Sequence, residues 1–136
     1  MAEYLYLDIE TIPTTDAETV AQIAATVTPP GNISKPETIA AWEAEKKPAL
    51  VAEAVAKTSF NGAHGSIVCL GFAWNDAEPD SYTQDAAGRD EKTILTMLSE
   101  YLTATRPSFE QPVIVGHYVA NFDLRFIWQR AFVLGV

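Results

Sequence analysis

Tyr4-Leu5-Tyr6-Leu7-Asp8-Ile9-Glu10-Thr11 is a run of β-prone residues carrying two carboxylates, one residue apart, at its exit. Leu5, Leu7 and Ile9, interleaved with Tyr4 and Tyr6, make an almost unbroken apolar and aromatic segment, which predicts a central strand covered on both faces. Asp and Glu are poor residues for the interior of such a strand. Under the two-residue period of a strand, Asp8 and Glu10 point to the same side. Their oxygens can then converge on a hard divalent cation such as Mg²⁺. The alternative is a strand that ends at Asp8, with a solvated turn beginning at Glu10.

Beyond this strand, Pro13 and Thr14-Thr15-Asp16 read as a loop and helix cap, followed by a helix over Ala17 to Val27. Thr28-Pro29-Pro30-Gly31-Asn32 breaks the chain. Lys35 to Lys57 is rich in Ala, Glu and Lys and predicts a helix with Pro36 in its first turn, continuing past Pro48 or kinked there. The chain therefore reads as one domain, 1–136, with a helical insert at about 16–58. Inserts of this kind are usually solvated, or they shape a nearby site.

Asn61-Gly62 and Gly65 lead into Ile67-Val68-Cys69-Leu70-Gly71-Phe72-Ala73-Trp74, a second strong strand. Asn75-Asp76 and Pro79-Asp80 predict a hairpin into a weaker strand near Ser81 to Gln84. From Asp90 to Thr103, Ile94, Leu95, Leu98 and Leu102 recur at helical spacing, widened by Met97 and Tyr101, and Arg106 and Pro107 end that helix. Val113-Ile114-Val115 is a short apolar strand stopped by Gly116. This order of elements predicts an α/β sheet with mixed strand directions.

Composition excludes several classes of function. With 48% hydrophobic and 20% charged residues the chain is neither disordered nor built for a membrane. It lacks the pattern of a signal peptide, so a cytoplasmic protein is expected. The single cysteine, Cys69, excludes an internal disulfide and reads as core packing. A net charge of −9 argues against a broad basic surface for nucleic acid. It is compatible with nucleic acid as a substrate, because cations held by carboxylates can meet a phosphodiester directly.

The second chemical stretch is Gly116-His117-Tyr118-Val119-Ala120-Asn121-Phe122-Asp123-Leu124-Arg125-Phe126-Ile127-Trp128-Gln129-Arg130. It starts at the carboxyl end of a strand and opens a helix, where open α/β sheets bind ligands. Asn121 is a candidate helix cap, and Asp123 reads either as an acidic first-turn residue or as a ligand. Phe122, Phe126, Ile127 and Trp128 are expected to pack that helix on the sheet.

Asp8-Ile9-Glu10-Thr11, taken with Asn121-Phe122-Asp123 after a Gly-His strand end, resembles the first two motifs of the DEDD-type 3′-to-5′ exonucleases. Within that superfamily the likeness is greatest to stand-alone, phage-type exonucleases related to the proofreading domain of B-family DNA polymerases. Pro29-Pro30-Gly31-Asn32-Ile33, the Lys-rich insert and Phe122-Asp123-Leu124-Arg125-Phe126 extend it over most of the chain. The resemblance implies a ribonuclease-H-like mixed sheet flanked by helices. It also implies two-metal phosphodiester hydrolysis with Mg²⁺ or Mn²⁺ ions about 4 Å apart. By position, Asp8 would bridge both ions, Glu10 would hold the one that activates water, and Asp123 would serve the other. Thr11 and Ile12 would meet the terminal nucleotide, although each reads equally as turn hydroxyl and packing.

Two departures shape the expectation. The family's second motif usually carries Asn where this chain has Tyr118, which with Asn121 and Phe122 completes the substrate-binding candidates; a tyrosine can stack on a base. The family's third motif, Tyr or His followed four residues later by Asp, does not occur between Asp123 and Val136. Neither His117 nor His64 stands at that motif's general-base position. A C-terminally incomplete fold is expected, with weak activity or none, and the apolar ending Phe132-Val133-Leu134-Gly135-Val136 calls for a partner or a second copy. The expected partner is the 3′ end of DNA, preferably single-stranded, and the motifs do not separate DNA from RNA. The alternatives are a non-catalytic binding or regulatory module, and an unrelated α/β protein with a metal or phosphate site.

Overall fold

The computed structural model describes residues 3–85, 88–105 and 111–136. Its elements are β1 (Tyr4–Ile12), α1 (Ala17–Thr26), α2 (Pro36–Glu45), α3 (Lys47–Ala56), a 3-10 turn (Lys57–Phe60), β2 (Ser66–Trp74), β3 (Asp80–Thr83), α4 (Glu91–Thr105), β4 (Val113–Val115) and α5 (Asp123–Leu134). Arg106 and Pro107, expected to end α4, lie outside the described residues. The strands form one sheet in the order β3-β2-β1-β4. β1 runs antiparallel to β2 and parallel to β4, and β3 runs antiparallel to β2. This is the mixed α/β sheet that the order of elements predicts.

β1 is an inner strand, yet among the described residues only one of its faces is covered. Leu5, Leu7 and Ile9 are buried, while Tyr4, Tyr6, Asp8, Glu10 and Ile12 are exposed. The expectation of a strand covered on both faces is corrected: α4 and α5 both pack on the same side. There Ile67, Leu70 and Phe72 of β2, Ile94, Leu95 and Leu98 of α4, and Phe126 of α5 form the core. Phe72 stands 4.8 Å from the ring centres of both Tyr82 and Tyr101. Aromatic residues therefore fill the space between β2, β3 and α4.

Several local details differ from the sequence reading, each for a physical reason. The insert helix is divided at Lys46, where α2 ends and α3 begins with Pro48 in its first turn. Proline there has no N–H to supply, so it starts a helix instead of bending one. Cys69 is half-buried and accepts the Thr83 hydroxyl hydrogen at 3.3 Å, so it lies on the pairing with β3 instead of inside the core. Trp128, expected to pack on the sheet, is 71% exposed because Phe126 and Arg130 take the inward stripe of α5. No helix among the described residues is long and apolar enough to cross a membrane.

Candidate functional site

β1 carries Asp8 out of the sheet between two neighbours that approach closely. Gly71 of β2 pairs with it, and Gly116 follows β4 on the other side. A Cβ at Gly116 would stand 2.5 Å from the Leu7 carbonyl oxygen, so glycine lets the chain turn tightly against β1 here. The turn continues through Tyr118, which adopts φ 53°. That left-handed conformation is costly for a tyrosine and marks a backbone held in place by its surroundings.

The turn delivers α5 with Asp123 at its first position. Asp123 is 2% exposed, and its Oδ1 accepts the Ile9 N–H at 3.0 Å, tying the start of the helix directly to β1. Burial pushes its carboxyl above the usual carboxylate range. The Asp8 charge adds to this, while N–H groups of Asp123 and Ile9 and the neighbouring His117 oppose it. The cap position belongs to Phe122, which makes no side-chain cap bond; the expected cap, Asn121, lies one residue outside. Asp123 is thus fixed by the strand instead of by helix capping.

Asp8, Ile9, Phe60, His117, Tyr118, Phe122 and Asp123 line one cavity of about 370 Å³. Four of the sequence candidates therefore converge: Asp8, Asp123, Tyr118 and Phe122. Glu10, Thr11, Ile12 and Asn121 are not among the lining residues. Glu10 pairs with Cys69 beside a register shift between Glu10 and Thr11, and the Thr11 hydroxyl donates to the Ser59 carbonyl at 2.7 Å. Ile12 is 39% exposed. Among the described residues, no three His, Cys, Asp or Glu side chains stand close enough together to hold a metal ion.

Sequence reasoning did not single out Phe60. It ends the 3-10 turn and precedes Asn61-Gly62, where a lone aromatic gives no periodic signal. A second, open groove of about 870 Å³ runs over the uncovered face of the sheet and shares Asp8 and His117 with the cavity. Its other lining residues include Tyr6, Gly71, Ala73 and Val115, so its floor is mainly apolar.

No protein-family model matches the chain, and no curated protein matches it. Among solved structures it is similar to the family B DNA polymerase from the hyperthermophilic archaeon Pyrobaculum calidifontis, at 17% identity with a TM-score of 0.53. The match covers the whole of this chain and 12% of the polymerase. At that identity the likeness is one of fold. The α/β architecture that holds Asp8 and Asp123 together is shared with a segment of a much longer protein.

Proposed function

We propose that this chain is a metal-dependent nuclease domain acting on 3′ ends of single-stranded DNA. The observation that carries this reading is the convergence of Asp8 and Asp123, 115 positions apart in the chain, on one cavity. The sequence resemblance to 3′-to-5′ exonucleases and the fold shared with part of a DNA polymerase support it.

The donor chemistry fits a hard divalent cation. Asp123 is a buried carboxylate whose charge is disfavoured by burial and by Asp8, and a cation between the two would relieve both effects. Mg²⁺ and Mn²⁺ accept such a partial set, because Mg²⁺ commonly takes one or two carboxylates and leaves its other positions to water and phosphate oxygens. When bound, the ion polarises a phosphate and lowers the pKa of a coordinated water. Asp8 is open to solvent and would meet an incoming phosphate there. Asp123 is held rigid by Ile9, and Tyr118 and Phe122 offer aromatic surface to the terminal nucleotide.

Degradation of 5′-labelled single-stranded DNA, with RNA in parallel, tests this in Mg²⁺ or Mn²⁺ with identically purified Asp8→Ala as control. A ladder shortened from the 3′ end that is lost in the variant is the expected result. Cleavage unchanged in Asp8→Ala overturns it. The position of Glu10 outside the cavity lining favours a second reading, a domain that binds DNA ends without cutting them. That reading predicts end binding with no cleavage in either protein.

A further inference from the structure

Phe60 is 74% exposed, yet the backbone around it is held from three sides. Thr11 of β1 donates its hydroxyl to the Ser59 carbonyl at 2.7 Å, and the Thr14 N–H donates to the Thr58 hydroxyl at 2.8 Å. Beyond it, the Gly62 N–H donates to Gln129 Oε1 at 3.2 Å, and the Gly62 carbonyl accepts from Arg130 at 3.3 Å, both on α5. A Cβ on Gly65 would stand 2.4 Å from the Thr58 carbonyl oxygen, so the segment also folds tightly back on itself. Exposing a phenylalanine ring forgoes the stabilisation its burial would give. Here the ring is mounted on a rigid support at the cavity that holds Asp8 and Asp123.

We propose that Phe60 is a stacking surface for the unpaired base at the 3′ end of a bound strand, with the Tyr118 ring as a second wall. Tyr118 is 66% exposed and lines the same cavity from a separate segment. Phe122 stands behind, its ring centre 6.4 Å from that of Phe60 at a tilt of 57°, which supports the outer ring without covering its exposed area. No Lys or Arg is among the lining residues, so phosphate neutralisation contributes little at this point. Every base presents a π-face, so recognition by stacking is tolerant of sequence, as an enzyme that removes successive nucleotides requires.

This inference rests on the nuclease reading, and the experiment separates their failures. Equilibrium binding and single-turnover cleavage are measured in Mn²⁺ with the full chain and two 5′-labelled oligonucleotides. One ends in thymidine, and the other is identical but ends in an abasic nucleotide. Phe60→Ala is expected to weaken binding of the base-bearing end by roughly five- to a hundred-and-fiftyfold, the range for loss of one stacked base. It should change binding of the abasic end less than about twofold, with Phe60→Trp restoring the preference. Equal losses on both ends, or no loss on either, overturn the stacking role, while wild-type cleavage leaves the nuclease reading standing. A wild-type protein that neither binds nor cuts either end overturns both.

Discussion

Asp123 is where burial, charge and position meet in one side chain. Its carboxyl is raised chiefly by burial, so the folded protein holds that proton more tightly than the unfolded chain does. Stability therefore falls as pH rises from the ordinary carboxylate range through the raised value. Asp123→Asn keeps an oxygen for the Ile9 N–H and removes this slope. The metal-free variant should melt above wild type at pH 7 and level with it near pH 3, about one unit below the usual aspartate value. A melting-temperature difference independent of pH would show that Asp123 is not under electrostatic strain. Tyr118 supplies a second residue-scale prediction: glycine accepts φ 53° freely. Tyr118→Gly should raise stability by about 1 kcal/mol in denaturant unfolding, the low end of the cost of such a conformation. Asp8 and Asp123 were both legible as candidates in the sequence, because an acid inside an apolar strand and one at the start of a helix break the expected pattern; the strand itself runs on past Asp8 to Ile12. That Glu10 is not among the lining residues was not legible, since period-two alternation carries no information about the register shift beside it.

Elements are held in place by one buried network. Glu91 at the start of α4 accepts from the Ile67 N–H of β2 at 2.7 Å and forms a two-point ion pair with Arg130 of α5, at 2.7 and 2.8 Å. Arg130 in turn donates to the Gly62 carbonyl. Two helices, a strand and the loop carrying Phe60 thus share a single carboxylate–guanidinium contact. Arg130→Met leaves Glu91 buried without its partner and should cost about 3–5 kcal/mol in chemical denaturation, with much of it recovered when Glu91→Leu is added. Equal costs for the single and double variants would contradict the network. Helix and strand types along the chain followed from hydrophobic period, and α4 shows this most clearly through Ile94, Leu95 and Leu98. The Glu91–Arg130 pair did not, because the residues are 39 positions apart and each reads alone as a solvated charge. Gly116→Ala tests the joint between β4 and the site. Its Cβ would meet the Leu7 carbonyl at 2.5 Å, so a loss of about 1–3 kcal/mol is expected.

At the scale of the molecule, the sheet is one-sided among the described residues: its core lies under α4 and α5, and the opposite face of β1 is open from Tyr4 to Ile12. The sequence reading placed β1 at the centre of the sheet, and it is there. Coverage of its second face could not be inferred, because aromatic Tyr4 and Tyr6 read the same in a covered strand and in an open one. The consequence for function is that Asp8 sits where the open groove and the smaller cavity meet, reachable from solvent, while Asp123 is reached through the cavity. If a divalent cation binds this pair, it stabilises the folded chain by about 2.7 kcal/mol at a hundredfold excess over Kd. The most direct test of this account is titration of Mn²⁺ into wild type, Asp8→Asn and Asp123→Asn at pH 7, with free Mn²⁺ followed by electron paramagnetic resonance. The account predicts binding by wild type and at least about a tenfold weaker Kd in each variant, equivalent to 1.4 kcal/mol. Equal affinity in all three proteins, or no binding by wild type, would contradict it.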